Sequence, residues 1–581
     1  IDTVGNESNH PGKRFIYVGE NTVSTAAGIS TAALDNEFFV IRTVGGDLHI
    51  VGKDAGNNDW TQLSNCQPGT MFGVYHVLSE VLGVRWLWPG DDGITYTAKA
   101  NVDLPSLNIT TGPNMVQRRY RNPRVGMYNN GITSYGFGIP VLPASSTVRE
   151  ALADEEILWQ RRQMMGTRKN PSFGHSELHW WDTYGATHPE YFAVRLNNAP
   201  QPAPSPDRVK LHVSGVDTIN ARVAEWVAAG APNNFNVCPN DSRAFCVCAS
   251  CLAWDYPSQP ATTVYNNSDA LLGDRYARWY SEIATRVAAI NPNATVYGYA
   301  YDTYRNAPTV ATVPSNVAIA YIPGPPSDVR PALIAETEAN VLGWIAAGAT
   351  KMYLRPNWML SAHAGPYVPV HRVGEHFKTL LSGGYLLGMD SDSSNSTYAG
   401  FGLYFYLIAQ QMAHPERSVD TIIDEYCAGF GSASSRIRDY FQYWENFIYH
   451  ESDNGNTDIL GWTAGMAAYG PTYTNAAFDG AEQILDDAAA QLGSGEIEAA
   501  GRIEFLRTAV THGRLTAEAI RLVEPGTPVR YNPSADAAMR ALLAFRDSEA
   551  DQFTIWREWT IDRESYVPGM QSYWEYILAN P

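Results

Sequence analysis

The sequence predicts an α/β protein built on a (β/α)8 TIM-type barrel, preceded by a small α/β domain and followed by a helical one. Three observations lead there. Over residues 116–455 short apolar runs alternate with longer helical ones, the pattern of a parallel sheet covered by helices. The apolar runs end in polar or aromatic residues, as strands do where a barrel gathers its reactive groups. No Gly-rich phosphate loop follows an early strand, which disfavours an open nucleotide-binding sheet.

In chain order, "RFIYVG" and "EFFVIRTVGGDLHIVGK" read as short strands, with Gly45, Gly46 and Asp47 supplying hairpin chemistry. In "GTMFGVYHVLSEVLGVRWLWPGDDG" apolar residues recur at helical spacing up to Gly83, and a Trp-rich strand follows. Residues 1–115 thus form the N-terminal domain, and "TTGPNM" marks a linker. Barrel strands are expected near 124, 172, 234, 295, 316, 351 and 384, with an eighth between 135 and 170. Residues 456–581 show apolar faces at three- and four-residue spacing, as helices of a bundle do.

Composition narrows the function. The 581 residues are 45% hydrophobic and 17% charged, and 60 acidic against 41 basic residues give a net charge of −19. With no basic run to gather phosphates, neither nucleic acid nor an anionic membrane is an expected partner. The apolar stretch Val341 to Ala349 is far short of the ~20 residues a membrane span needs. A start at Ile1, without Met, suggests a processed, exported chain and a secreted or periplasmic location.

Several constellations carry chemistry. "NVCPNDSRAFCVCASC" delivers Asn240 and Asp241 from a β-rich run into a cysteine-rich loop. Asp241 is a candidate general acid or base, or else part of an Asx turn with Asn240. Cys238, Cys246, Cys248 and Cys251 either bind zinc or form two disulfides, and an exported chain favours the disulfides. Cys66 and Cys427 are a third bridge or two buried thiols. "GYLLGMDSDSSNS" places Asp390 and Asp392 on one strand face, or in a solvated loop. Asp302 lies at another strand end among Tyr299, Tyr301 and Tyr304, a carboxylate amid rings that stack on sugar faces.

"GHSELHWWDTYGATHPEYF" gathers His175, Glu177, His179, Trp180 and Trp181. It lacks the HExxH spacing of a metal helix and reads as a sugar-recognition loop. Arg355 and Trp358, with Arg118, Arg119, Arg121 and Arg124, are candidates for holding a carboxylate substituent, or else structural ion pairs. No metal or cofactor is assigned, and oligomeric state is left open.

The segment "GTMFGVYHVLSEVLGVRWLWPGDDG" resembles the domain preceding the barrel in α-glucuronidases of glycoside hydrolase family 67 and in β-hexosaminidase-like enzymes. "THPEYFAV", "VCPNDSRAFCVCASC" and "GDRYARWYSEIATRVAAINPNATVYGYAYDTYRNAP" resemble a bacterial family-67-like group known by a domain of unknown function. The resemblance spans about residues 10 to 450. It implies an accessory domain, a catalytic barrel and activity on glycans through a pair of carboxylic acids. It places the acid at Asp241, while the Glu it implies near the last strand is replaced here by "LLGMDSDSS". The partner is then Asp390, Asp392, Asp302 or Glu177. A polysaccharide lyase using Arg355 against a uronate, and a non-catalytic carbohydrate-binding protein, are the alternatives.

Overall fold

The structure is a computed structural model describing residues 4–121, 134–135, 139–140, 146–196, 205, 208–324, 326–358, 364–392, 394–456, 464–523, 532–550, 552–565 and 569–580. It opens with β1 (Ile16–Val18), β2 (Phe39–Val44) and β3 (Asp47–Gly52). Two short antiparallel pairs follow, β4 (Ala55–Gly56) with β5 (Cys66–Gln67) and β6 (Arg85–Trp86) with β7 (Ile94–Thr95). β8 (Asn108–Thr111) then completes a four-stranded sheet of order β1-β3-β2-β8. The expected hairpin forms at Gly45 and Gly46, whose φ values of 62° and 95° suit glycine. The helix Gly69–His76 buries Phe72 against Phe39, Ile41 and Ile50.

The central sheet contains β9 (Gln117–Tyr120), β12 (Gly166–Thr167), β13 (Asn234–Asn236), β14 (Thr295–Ala300), β15 (Val317–Tyr321), β16 (Lys351–Leu354) and β17 (Leu386–Ser391). β10 (Ser134–Tyr135) and β11 (Ile139–Pro140) pair separately. The order is β12-β9-β17-β16-β15-β14-β13, with β12 antiparallel to β9 and all other pairings parallel. β15 is buried along its whole length, as a strand covered on both faces requires. On the outer face Gly298 lets β14 approach the helix Gly273–Ile290, because a Cβ there would stand 2.5 Å from the Tyr280 ring.

Among the described residues the expected eight-stranded barrel is a curled, mixed seven-stranded half-barrel, and a closed barrel is not shown. The chain near 172 is not a strand; after β12 it crosses to the opposite edge and runs beside the end of β13. There Asn236 Nδ2 donates to the Gly174 carbonyl (2.9 Å) and Ser176 N to the Cys238 carbonyl (3.1 Å). Thr167 and Phe173 are six residues apart, so the two edges lie within about 21 Å of each other and the sheet must curl. The first parallel strand is at 117–120, and the expected strand near 124 falls outside the described residues.

The helix Tyr398–Ala413 follows β17 and is apolar all round, which suits its burial under the helices of the C-terminal segment. Those include Asn475–Ala489, Ile497–Leu522 and Pro533–Ser548. Among the described residues no helix is long and apolar enough to cross a membrane. The expected disulfides are also corrected: all six cysteines are free.

Candidate active site

Period-two alternation sends Tyr297, Tyr299 and Tyr301 to the inner face along with Tyr353 and Arg355, Arg119 and Arg121, and Asp390 and Asp392. Phe173 fills the space between the edges. Its ring lies 5.1 Å from Tyr297, 5.3 Å from Tyr353 and 6.0 Å from Tyr299, making an aromatic floor. Gly388 is required on this face, since a Cβ would come within 2.9 Å of both Gln117 and Tyr353. Charged side chains stand at the strand ends, above the floor.

On the β9–β17 side Asp390 lies directly across from Arg119 in the register. Arg119 grips it bidentately at 2.8 and 3.1 Å, Arg121 donates at 2.7 Å and Arg355 at 3.3 Å. Arg355 also bonds Asp392 and lies 5.5 Å above the Tyr299 ring. Burial raises the Asp390 pKa, but Arg119 and Arg121 outweigh it and hold the carboxyl below its ordinary value. This is a saturated ion-pair knot.

On the β13–β14 side is an open cavity of about 290 Å³, lined by Arg208, Lys210, Asn240, Asp241, Ser242, Arg243, Tyr301, Asp302 and Tyr304. Asp302 adopts φ 49°, a left-handed conformation that Asp tolerates, and Arg243 holds its carboxylate with two 2.7 Å bonds. The Asp241 carboxylate makes no hydrogen bond or ion pair among the described residues. Lys210 is buried, donates to the Asn240 carbonyl and stands 4.8 Å from the Phe245 ring. Burial drives its pKa down, with Glu177, Asp241 and Asp302 restoring part of it. Tyr301 joins the two sides: burial pushes its phenol pKa up, and Asp241, Asp302 and Asp392 push it further.

Glu177 lies behind the cavity wall. Its backbone N–H donates to Asn240 Oδ1 (3.2 Å), and its buried Oε2 has no hydrogen-bond partner among the described residues. Burial drives its pKa up, and Arg222 and Lys210 offset only part of this. His175 remains at the mouth, with Nδ1 2.6 Å from the Pro239 carbonyl and its ring against Tyr299.

Other sequence candidates sit elsewhere. His179 pairs with Glu225 on the outside, Trp180 is buried with its indole N–H on Glu225, and Trp181 packs on Phe192. Trp358 is buried against His376 and Phe377, its N–H on Ser327. Arg118 is buried with Glu37, and Arg124 lies outside the described residues.

Sequence reasoning missed Lys210, Arg208 and Arg243. The alternation of buried Val209, Leu211 and Val213 was the available signal for Lys210, since it sets residues 210 and 212 on the other face. Four side chains of metal-ligating type converge behind this loop, His212 with Cys246, Cys248 and Cys251.

Residues 88–442, more than half of the chain, match the family model described as a domain of unknown function, DUF4838. The chain belongs to the DUF4838 family. No curated protein matches it. Among solved structures this DUF4838 protein is similar to a GH138 enzyme targeting pectin rhamnogalacturonan II. That match has 10% identity and a TM-score of 0.37, over 100% of this chain and 93% of that one. It is also similar to a family 89 glycoside hydrolase from Clostridium perfringens, in complex with 2-acetamido-1,2-dideoxynojirmycin, with 10% identity and a TM-score of 0.44 over 94% and 70%. A third is CpGH84B, with 9% identity and a TM-score of 0.32 over 96% and 89%. At these values the likeness is one of distant overall shape.

Proposed function

We propose that this DUF4838 protein is an exported glycoside hydrolase whose reaction takes place in the cavity at the ends of β13 and β14. The observation carrying this reading is the Asp241 carboxylate, unpaired among the described residues and lining an open polar cavity that also holds a second carboxylate, Asp302, and the phenol of Tyr301. Asp241 protonates the leaving glycosidic oxygen as the C–O bond breaks. Asp302, aimed by the Arg243 fork, faces the anomeric carbon, to which water finally adds. Arg208, Lys210 and Arg243 outnumber the two cavity acids, which favours a glycan carrying an acidic substituent. Arg355 is engaged by Asp390 and Asp392, so it is not a free clamp for a uronate and the lyase reading loses its neutralising group.

A second reading, carbohydrate binding without turnover, draws on the same ion pairs. Of the five candidate acids, Asp390, Asp392 and Asp302 are tied to arginines and Glu177 is buried, leaving a single open carboxylate. Mass spectrometry of products from neutral, amino-sugar and uronate-bearing polysaccharides separates the two. Hydrolysis gives fragments heavier by one water, and Asp241→Asn abolishes them while glycan binding persists. Binding of a glycan with no fragment from any member of the panel favours the second reading.

A further inference from the structure

We infer that His212, Cys246, Cys248 and Cys251 form a closed structural zinc site that braces the outer wall of the Asp241 cavity. The three sulfurs and the imidazole nitrogen all lie within 4.8 Å of one another, the spread of ligands around one tetrahedral ion. Cys248 Sγ is 3.4 Å from Cys246 Sγ and 3.3 Å from His212 Nε2. Sulfurs 3.4 Å apart are far from the roughly 2.05 Å of a disulfide. Cys238, the fourth thiol suggested by the sequence, is buried at β13 and turned to the Tyr297 carbonyl, 3.7 Å away.

The surroundings suit a metal as well as the ligands do. His212 Nδ1 lies 3.2 Å from the Glu190 carbonyl, which fixes the tautomer leaving Nε2 as the ligand. Backbone N–H groups of Val194 and Cys251 point at Cys246 and Cys248 sulfurs, at 3.2 and 3.4 Å, and the Ser214 hydroxyl lies 3.1 Å from Cys251 Sγ. Such donors stabilise thiolates. Behind them Arg275, buried and paired with Asp255, donates to the Cys246 carbonyl at 2.7 Å. Four protein ligands leave no position for water, so the ion's role is structural. It ties the segment carrying Lys210, two residues before His212, to the loop that starts at Asn240 and Asp241.

The test is metal analysis of the full chain purified without chelator, with cobalt(II) replacement. One zinc per chain is expected, with cobalt giving thiolate charge-transfer absorption and the intense visible bands of a tetrahedral site. His212→Ala and Cys248→Ser should bring zinc close to zero, whereas Cys238→Ala should retain it. Where a variant fails to fold, the wild-type stoichiometry and cobalt spectrum decide without it. A reduced wild-type chain that binds neither metal on titration overturns the proposal. So does a disulfide among these cysteines in the native protein, or a site lost with Cys238 but kept without His212.

Discussion

On the β9–β17 side of the mouth Asp390 receives bonds from three guanidiniums, while on the β13–β14 side the Asp241 carboxylate receives none among the described residues. Asp390 is the penultimate residue of β17, and Asp241 stands in the loop five residues past the end of β13. The difference comes from neighbours: β17 pairs with a strand bearing Arg119 and Arg121 on the same face, whereas β13 lies beside β14, whose inner face is tyrosine. A buried carboxylate already surrounded by donors has no lone pair left for a substrate, so the knot closes one part of the mouth, and the proposed chemistry falls to the other. The largest expected effect tests this division. Asp241→Asn should lower turnover about 10²- to 10⁴-fold with stability unchanged within about 0.5 kcal/mol. Kinetics and urea unfolding of the same preparation check both halves, and a large stability loss would place Asp241 in the scaffold.

Asp390→Ala should behave in the opposite way. Removing an almost fully buried carboxylate leaves three guanidiniums facing one another with Asp392 as their one remaining acid, and breaking such a cluster costs about 3 kcal/mol. The arginines keep some contact with water, which puts the cost at the low end of the range for buried pairs. The shift of the urea midpoint measures it. An Asp390→Ala protein of wild-type stability that has lost all turnover would move the reactive carboxylate to the knot.

The two sides also differ in the sign of their pH dependence. The folded pKa of Asp390 is depressed, so its contribution is present above the ordinary aspartate value of about 3.9 and lost as pH falls through the folded one. Glu177 is raised, so its contribution is fully present below the ordinary glutamate value of about 4.3 and lost as pH rises through the folded one. Glu177→Gln should therefore gain stability relative to wild type as pH rises above about 4.3, and Asp390→Asn should flatten the acid limb below about pH 4. Unfolding curves across this range read both, and equal pH slopes in the two variants would break the comparison.

How much of this was legible in the sequence follows the range of the interactions. β14 to β17 are apolar runs long enough to announce themselves, and Asp302, Asp390 and Asp392 were placed at strand ends by them. The segment near 172 has β-like composition, yet its backbone bonds to the side of β13 while Phe173 plugs the sheet, a role no local pattern encodes. β12 has two residues, too few to show a period. Ion pairs were one of the two readings for these arginines, but their partner escaped for another reason: Arg119 and Asp390 are 271 residues apart, and only the pairing of the first parallel strand with the last makes them neighbours. Lys210 escaped because a charged residue between alternating apolar ones normally faces water, and here aromatic rings and carboxylates take water's place.

The smallest expected effect concerns the Arg243–Asp302 pair, where the two regions come closest in chemistry. It is bidentate like the grip of Arg119 on Asp390, but Arg243 is 45% exposed, so water already screens it. Arg243→Lys keeps the charge and loses the planar fork. Stability should change by less than about 0.5 kcal/mol. If Asp302 must be aimed at the reacting carbon, turnover should still fall about tenfold, because a lysine holds the carboxylate at one point and lets it rotate. A variant with unchanged turnover would make the pair part of the scaffold, as the knot is, and leave Asp241 as the one carboxylate of the mouth available to substrate.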